Sequence, residues 1–205
     1  SYASVTFQVQ DDGGTANGGI NLDGSANTIT FNVTAVNDAP AGVNNTVSTL
    51  EDTAYTFTAA NFGFTDPSDS PANTLSAVKI TTLPATGTLT NNNIAVIAGQ
   101  FIALADITAG RLKFTPAANA NGLSYASLTF QVQDNGGTAN GGVDLDQSAN
   151  TITVAVTSVN DAPTGTDKTI TALEDTAYTF TAADFSFTDP SDSPANTLSA
   201  VKITT

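Results

Sequence analysis

The sequence predicts an all-β protein made of tandem antiparallel Greek-key β-sandwiches arranged end to end. Three observations carry that expectation: a long internal period, short runs of alternating apolar and polar residues, and Gly, Pro, Asn and Asp placed between those runs. The period comes first because it governs how every other feature is read. SYASVTFQVQ at Ser1 returns as SYASLTFQVQ at Ser124, VNDAP at Val36 returns at Val159, and LEDTAYTFTAA at Leu50 returns at Leu173, each offset by 123 positions. Residues 1–82 align without a gap on 124–205 at about four positions in five, with 41–49 against 164–172 the main divergent stretch. A period of this length is domain-sized, so each copy can own a hydrophobic core. With the boundary placed at VNDAP, residues 1–40 are the closing part of one repeat, 41–163 a complete repeat and 164–205 the opening part of the next. The chain is therefore expected to be a window on a longer array.

Alternation marks the strands in order. Thr46 to Leu50 opens the complete repeat; Tyr55 and Phe57 alternate with Thr; 75–81, 87–90, 94–97 and 112–114 follow, with a hairpin turn at 91–93. Ala126, Leu128, Phe130 and Val132 alternate with Ser, Thr and Gln, and Ile152, Val154 and Val156 alternate with Thr and Ala. Only a brief helical turn is expected, near 58–61 or 106–109, where Ala is dense. Seven or eight short strands in about 120 residues suit a two-sheet sandwich. The links between repeats are short, so neighbouring domains are expected nearly end to end, each adding roughly 40 Å at about 3.3 Å per strand residue.

Composition narrows the function. A net charge of −14 with five basic residues leaves no basic patch for phosphates, which argues against nucleic acid and anionic membrane surfaces. No apolar run approaches the roughly 20 residues of a membrane helix. The 19 acidic residues are almost all Asp; the two Glu, Glu51 and Glu174, share one repeat position. Asp suits turns and hard cations alike. With no His, Cys, Met or Trp, oxygen ligands are what remain. An enzyme would need a carboxylate pair in a cleft, and near-identical tandem copies multiply length more readily than active sites, so no catalytic residue is expected.

Three acidic clusters recur. They are Asn37-Asp38-Ala39-Pro40 with Asn160-Asp161-Ala162-Pro163; Asp66-Pro67-Ser68-Asp69 with Asp189-Pro190-Ser191-Asp192, followed by Asn73 and Asn196; and Asp11-Asp12-Gly13-Gly14 with Asp134-Asn135-Gly136-Gly137. Taken together with the lone glutamates, the order Glu51, FTDPSDSPAN, QVQDNGG, TITVAV, VNDAP resembles the cadherin family, particularly the bacterial cadherin-like repeats of large surface adhesins. The stretch from LPATGTL to DITAGRLKFTP is similar to repeats of their proteoglycan-type relatives.

The resemblance implies a cadherin- or immunoglobulin-like sandwich with Ca2+ at the inter-repeat junctions. Asn37 and Asp38 would meet Asp66, Asp69 and Asp134 at the top of the next domain. Glu51 would reach the following linker near Asn160 and Asp161, which Asp189 and Asp192 would also face. Asp11 would belong to the junction before it, and Glu174 holds the Glu51 position of the next copy. Calcium takes six to eight oxygens, which a junction can gather from separate loops. Departures from the pattern at Ala35, Ser158 and the stretch LKFTPAANANG imply fewer ions per junction, about one or two. Asp, Asn, Gly and Pro are also ordinary turn formers, so these clusters can equally cap strands, as can Asp23, Asp144 and Asp146.

The function expected is a structural extender or adhesive repeat at the bacterial cell surface or outside the cell, stiffened by calcium and serving adhesion, biofilm or filament formation. Its partners would be neighbouring repeats of the same chain, with homotypic or lateral filament contacts open. The alternative is a carbohydrate- or surface-binding β-sandwich module, suggested by abundant Thr such as Thr28 and Thr30.

Overall fold

The computed structural model describes residues 1–204. It comprises two units, Ser1–Val36 and Asn37–Thr205. In the first, β1 (Ala3–Phe7) and β2 (Asn27–Phe31) form an antiparallel pair, Val5 opposite Ile29. All residues of both strands are exposed.

The second unit holds β3 (Asn45–Leu50), β4 (Tyr55–Thr56), β5 (Leu75–Thr82), β6 (Thr88–Asn91), β7 (Ile94–Ala95), β8 (Phe101–Ala103), α1 (Leu104–Thr108), β9 (Leu112–Thr115), β10 (Gly122–Asp134) and β11 (Asn150–Thr157). They form a five-stranded sheet ordered β3-β11-β10-β5-β8 and a four-stranded sheet ordered β4-β9-β6-β7. The all-β sandwich class read from alternation is the one observed. Inward positions of β10, namely Ala126, Leu128, Phe130 and Val132, are buried, as are Ile152, Val154 and Val156 of β11. They share one core with Leu89, Leu112 and Phe114 of the smaller sheet and with Phe57 and Phe62. Phe62 meets Phe130 edge to face at 5.0 Å, a favourable arrangement of ring quadrupoles.

Local chemistry sets the connections. Asn92 and Asn93 both take positive φ between β6 and β7, as a tight hairpin turn with the strand twist requires. Both short helical segments appear, a 3₁₀ turn at Ala59–Phe62 and the one-turn α1. Two features differ from the expectation. Strand β8 was unforeseen because only Ile102 of its three residues is buried, too short a run for period-two alternation. The first strand of the sandwich, β3, pairs with the last, β11, in parallel, with Val47 opposite Val154. Residues 160–204 contain a 3₁₀ turn, Ala182–Phe185, and the bridge Thr164 to Thr188, which repeats the bridge Ala41 to Thr65.

Candidate functional site

The VNDAP linker and the Asp-Pro-Ser-Asp turn occur twice in the second unit, and the same contacts form in both. In the first copy the Asp38 amide donates to Asp69 Oδ2 at 3.0 Å, and the Asn73 amide donates to Asp66 Oδ2 at 2.5 Å. The Asn73 side chain donates to Asn37 Oδ1 and, at 3.2 Å, to Asp69 Oδ2. In the second copy the Asp161 amide lies 3.2 Å from Asp192 Oδ1, Asn196 donates its amide to Asp189 Oδ2 at 2.7 Å, and its side chain reaches Asn160 Oδ1 at 2.8 Å. Asn73 and Asn196 thus tie each turn to its linker.

What faces this shared half differs. In the first copy it is Asp134, at the end of β10 and 2% exposed. Its Oδ1 accepts from the Gly136 amide at 2.8 Å and from Asn37 Nδ2 at 3.2 Å. The approach is close: a Cβ on Gly136 would stand 1.7 Å from Asn37 Oδ1, so only glycine fits. Burial, helped by the charges of Asp66 and Asp144, holds the Asp134 carboxyl above its ordinary range despite the donors Gly136 and Asn37.

In the second copy the facing group is Glu51, just after β3 and 3% exposed. It accepts from the Val159 amide and from Asn121 Nδ2 at 3.3 Å. Glu51, Asp161 and Asp192 each offer a carboxylate oxygen, all within 4.8 Å of one another. Burial raises the Asp161 carboxyl, and the neighbouring charges of Asp192, Asp52, Glu51 and Asp189 push it further up.

Such a set fits a hard divalent cation. The donors are carboxylate oxygens from three separate segments, and two of the carboxylates in the paired turns have an oxygen to spare. Asp66 Oδ1 and Asp189 Oδ1 are buried without a hydrogen-bond partner, although each residue's Oδ2 is used by its turn. A buried carboxylate oxygen without a donor is costly, and a cation removes that cost.

Away from these contacts, the other acidic residues singled out from sequence are exposed or engaged in local hydrogen bonds. Asp11 is exposed and caps its own turn through the Gly13 amide at 2.9 Å, and Glu174 is exposed. Asp146 is a hairpin latch: it accepts from the amides of Gly42 and Ser148, both at 2.9 Å, and from Asn150 Nδ2 at 2.7 Å. Asp23 holds Ser25 and Asn27 in the same way, and the Ser25 amide is the chief reason its carboxyl titrates below the ordinary range. Asp144 accepts from Gln133 at 3.0 Å. For these three the turn reading is the one the contacts favour.

Sequence reasoning passed over Asp52, Asn119 and Asn121, and named Ser191 only as part of its turn. The Asn119 amide donates to Asp52 Oδ1 at 3.1 Å. With its side chain oriented to satisfy both ends, Asn119 donates to Asp52 Oδ2 and Asp161 Oδ2 and accepts from Ser191 Oγ, all at 3.2 Å. The available signal was the Asn-rich run ANANG next to a Pro, since Asn is among the few residues that accept left-handed turns.

No curated protein and no solved structure matches the chain. A family model does, over residues 37–146, more than half of the length and the span that holds most of both sheets and the Asn37–Asp134 contact. By that match, and in keeping with its two-sheet core, the chain belongs to the bacterial Ig domain family.

Proposed function

We propose that the chain is a stretch of calcium-stiffened extender from a bacterial surface adhesin, with 41–163 one full cadherin-like repeat between the closing part of another (1–40) and the opening part of a third (164–205). Bacterial Ig domains are structural modules of surface and extracellular proteins, and the internal repetition suits a module that supplies length. The observation that carries the reading is the meeting of Glu51, from one repeat, with Asp161 of the linker and Asp192 of the next turn. Like charges held so close repel, and a cation relieves that repulsion while joining the segments that bear them. Glu51, Asp161, Asp192 and the spare oxygen of Asp189 would hold one ion. Asp66, Asp69 and Asp134, with Asn37 and Asp38, would contribute to a second. When bound, calcium supplies charge neutralisation and cross-linking, suppressing bending at the joint. Extracellular calcium at about millimolar levels suits weak sites of this kind.

The test is thermal unfolding of the chain in calcium, in magnesium and in chelator, with solution scattering for length. Calcium alone should raise the melting temperature by about 5–10 °C, as occupancy near a hundred times the dissociation constant would give. Asp161→Ala should reduce the shift sharply. A calcium-insensitive melting curve would leave a plain sandwich spacer.

A second reading, a glycan-binding face, draws on two depressions on the larger sheet of about 480 and 390 Å³ that share Thr151 and Thr153. Ser127, Thr82, Thr46 and Asn44 also line them and no charged side chain does, which suits a neutral polyhydroxyl ligand. Calcium-independent retention on neutral glycans, lost in Thr151→Val, would favour it.

A further inference from the structure

We propose that the loop at 116–121 is a docking surface for the Asp-Pro-Ser-Asp turn of the following repeat, and that this contact closes the joint without any ion. The loop is free of charge and presents amides, whereas the linker and turn opposite present carboxylates and a hydroxyl. Asn121 donates to Glu51, and Asn119 donates to Asp52 and to Asp161 while accepting from Ser191. Neutral amide donors satisfy carboxylates by hydrogen bonding alone, which a loop of acidic side chains at the same place could not do.

The loop is also held in shape before the partner arrives. Asn119 and Asp52 both sit at left-handed φ, +54° and +56°, and the backbone amide of one is bonded to the carboxylate of the other. Two turns distant in sequence therefore brace each other and aim the Asn119 side chain across the boundary. The partner is a copy of the same repeat: Ser68 occupies in Asp66-Pro67-Ser68-Asp69 the place that Ser191 occupies in the second turn. Every full repeat then carries the amide loop at its trailing end and the matching turn at its leading end. The contact does not depend on the calcium reading, since none of its bonds involves a cation.

The experiment is amide hydrogen exchange on the full chain in chelator, read at Val159 and Asp161, whose amides donate to Glu51 and Asp192. The wild-type amides should be protected. Asn119→Ala should speed their exchange about tenfold and Ser191→Ala about threefold, with protection in β10 unchanged as the control for folding. Asn119→Asp should match or exceed the Ala variant, because it adds a carboxylate beside Asp52 and Asp161. Unprotected wild-type amides in chelator, or exchange that Asn119→Ala leaves unaltered, would overturn the inference. Failure of calcium to add protection to the wild type would count against the ion reading alone.

Discussion

The two copies of the linker and turn, 37–40 with 66–73 and 160–163 with 189–196, are identical in sequence and form the same linker-to-turn bonds, yet different groups face them. The first is closed by Asp134 and Gly136, at the end of β10. The second is closed by Glu51, Asn119 and Asn121, from the sandwich that precedes it in the chain. The lesson is that local sequence builds the shared half, while the facing half is a matter of which strands lie beside it.

The sharpest break in that comparison is at glycine. Gly136→Ala drives a methyl into Asn37 Oδ1, whereas at the equivalent Gly13 the nearest atom is Asp11 Oδ1 at 3.2 Å. Denaturant unfolding should show Gly136→Ala destabilised by about 2–4 kcal/mol and Gly13→Ala within about 0.5 kcal/mol of wild type. Equal effects would mean that Gly136 is not pressed against Asn37. Next in size is Glu51→Ala, which strips acceptors from Val159 and Asn121. A cost of about 1–2 kcal/mol is expected in the second junction only, seen as faster exchange at Val159 with the β10 core unaltered.

Acidity should separate the regions by sign. Asp134 titrates above its unfolded value, so the native state holds its proton more tightly there. Without divalent ions, its contribution to stability rises as pH falls from neutral through that raised value, levelling off below about 3.8. The pair Lys168 and Asp184, 2.7 Å apart, stands 123 positions after Asn45 and Asn61, and behaves oppositely. Lys168, the Thr181 amide and Tyr178 hold Asp184 far below the carboxylate range, so its contribution is present above about pH 3.8 and declines as pH falls below it. The Lys168 share is full below about pH 10.5, declines as pH rises from there and is lost once pH has passed through its raised value. Denaturation midpoints against pH, compared with Lys168→Asn/Asp184→Asn, should show this smallest effect, and a double variant with unchanged acid behaviour would remove the pair from the account.

Much of the sandwich was legible because alternation reports burial directly: Leu128, Phe130 and Val132 each fall inward as their spacing requires. The parallel seating of β3 beside β11 was not, since pattern within a strand carries no information about its neighbour's direction. At the junction, the acidic residues drew attention through charge and repetition. Asn119 and Asn121 did not, because an amide in a turn looks the same in sequence whether it faces water or a carboxylate. Asp146 is a case where the turn alternative read from sequence fits, since its oxygens are spent on Gly42, Ser148 and Asn150.

The parallel pairing of β3 with β11 also determines how the sandwich bears load. The first and last strands of the sandwich lie side by side over six matched positions, Asn45 to Leu50 against Ile152 to Thr157. Tension applied through the two linkers pulls these strands past each other, so the ladder is strained in shear and its hydrogen bonds must fail together rather than one at a time. A domain wired this way resists pulling along that axis better than one whose terminal strands could be peeled apart bond by bond.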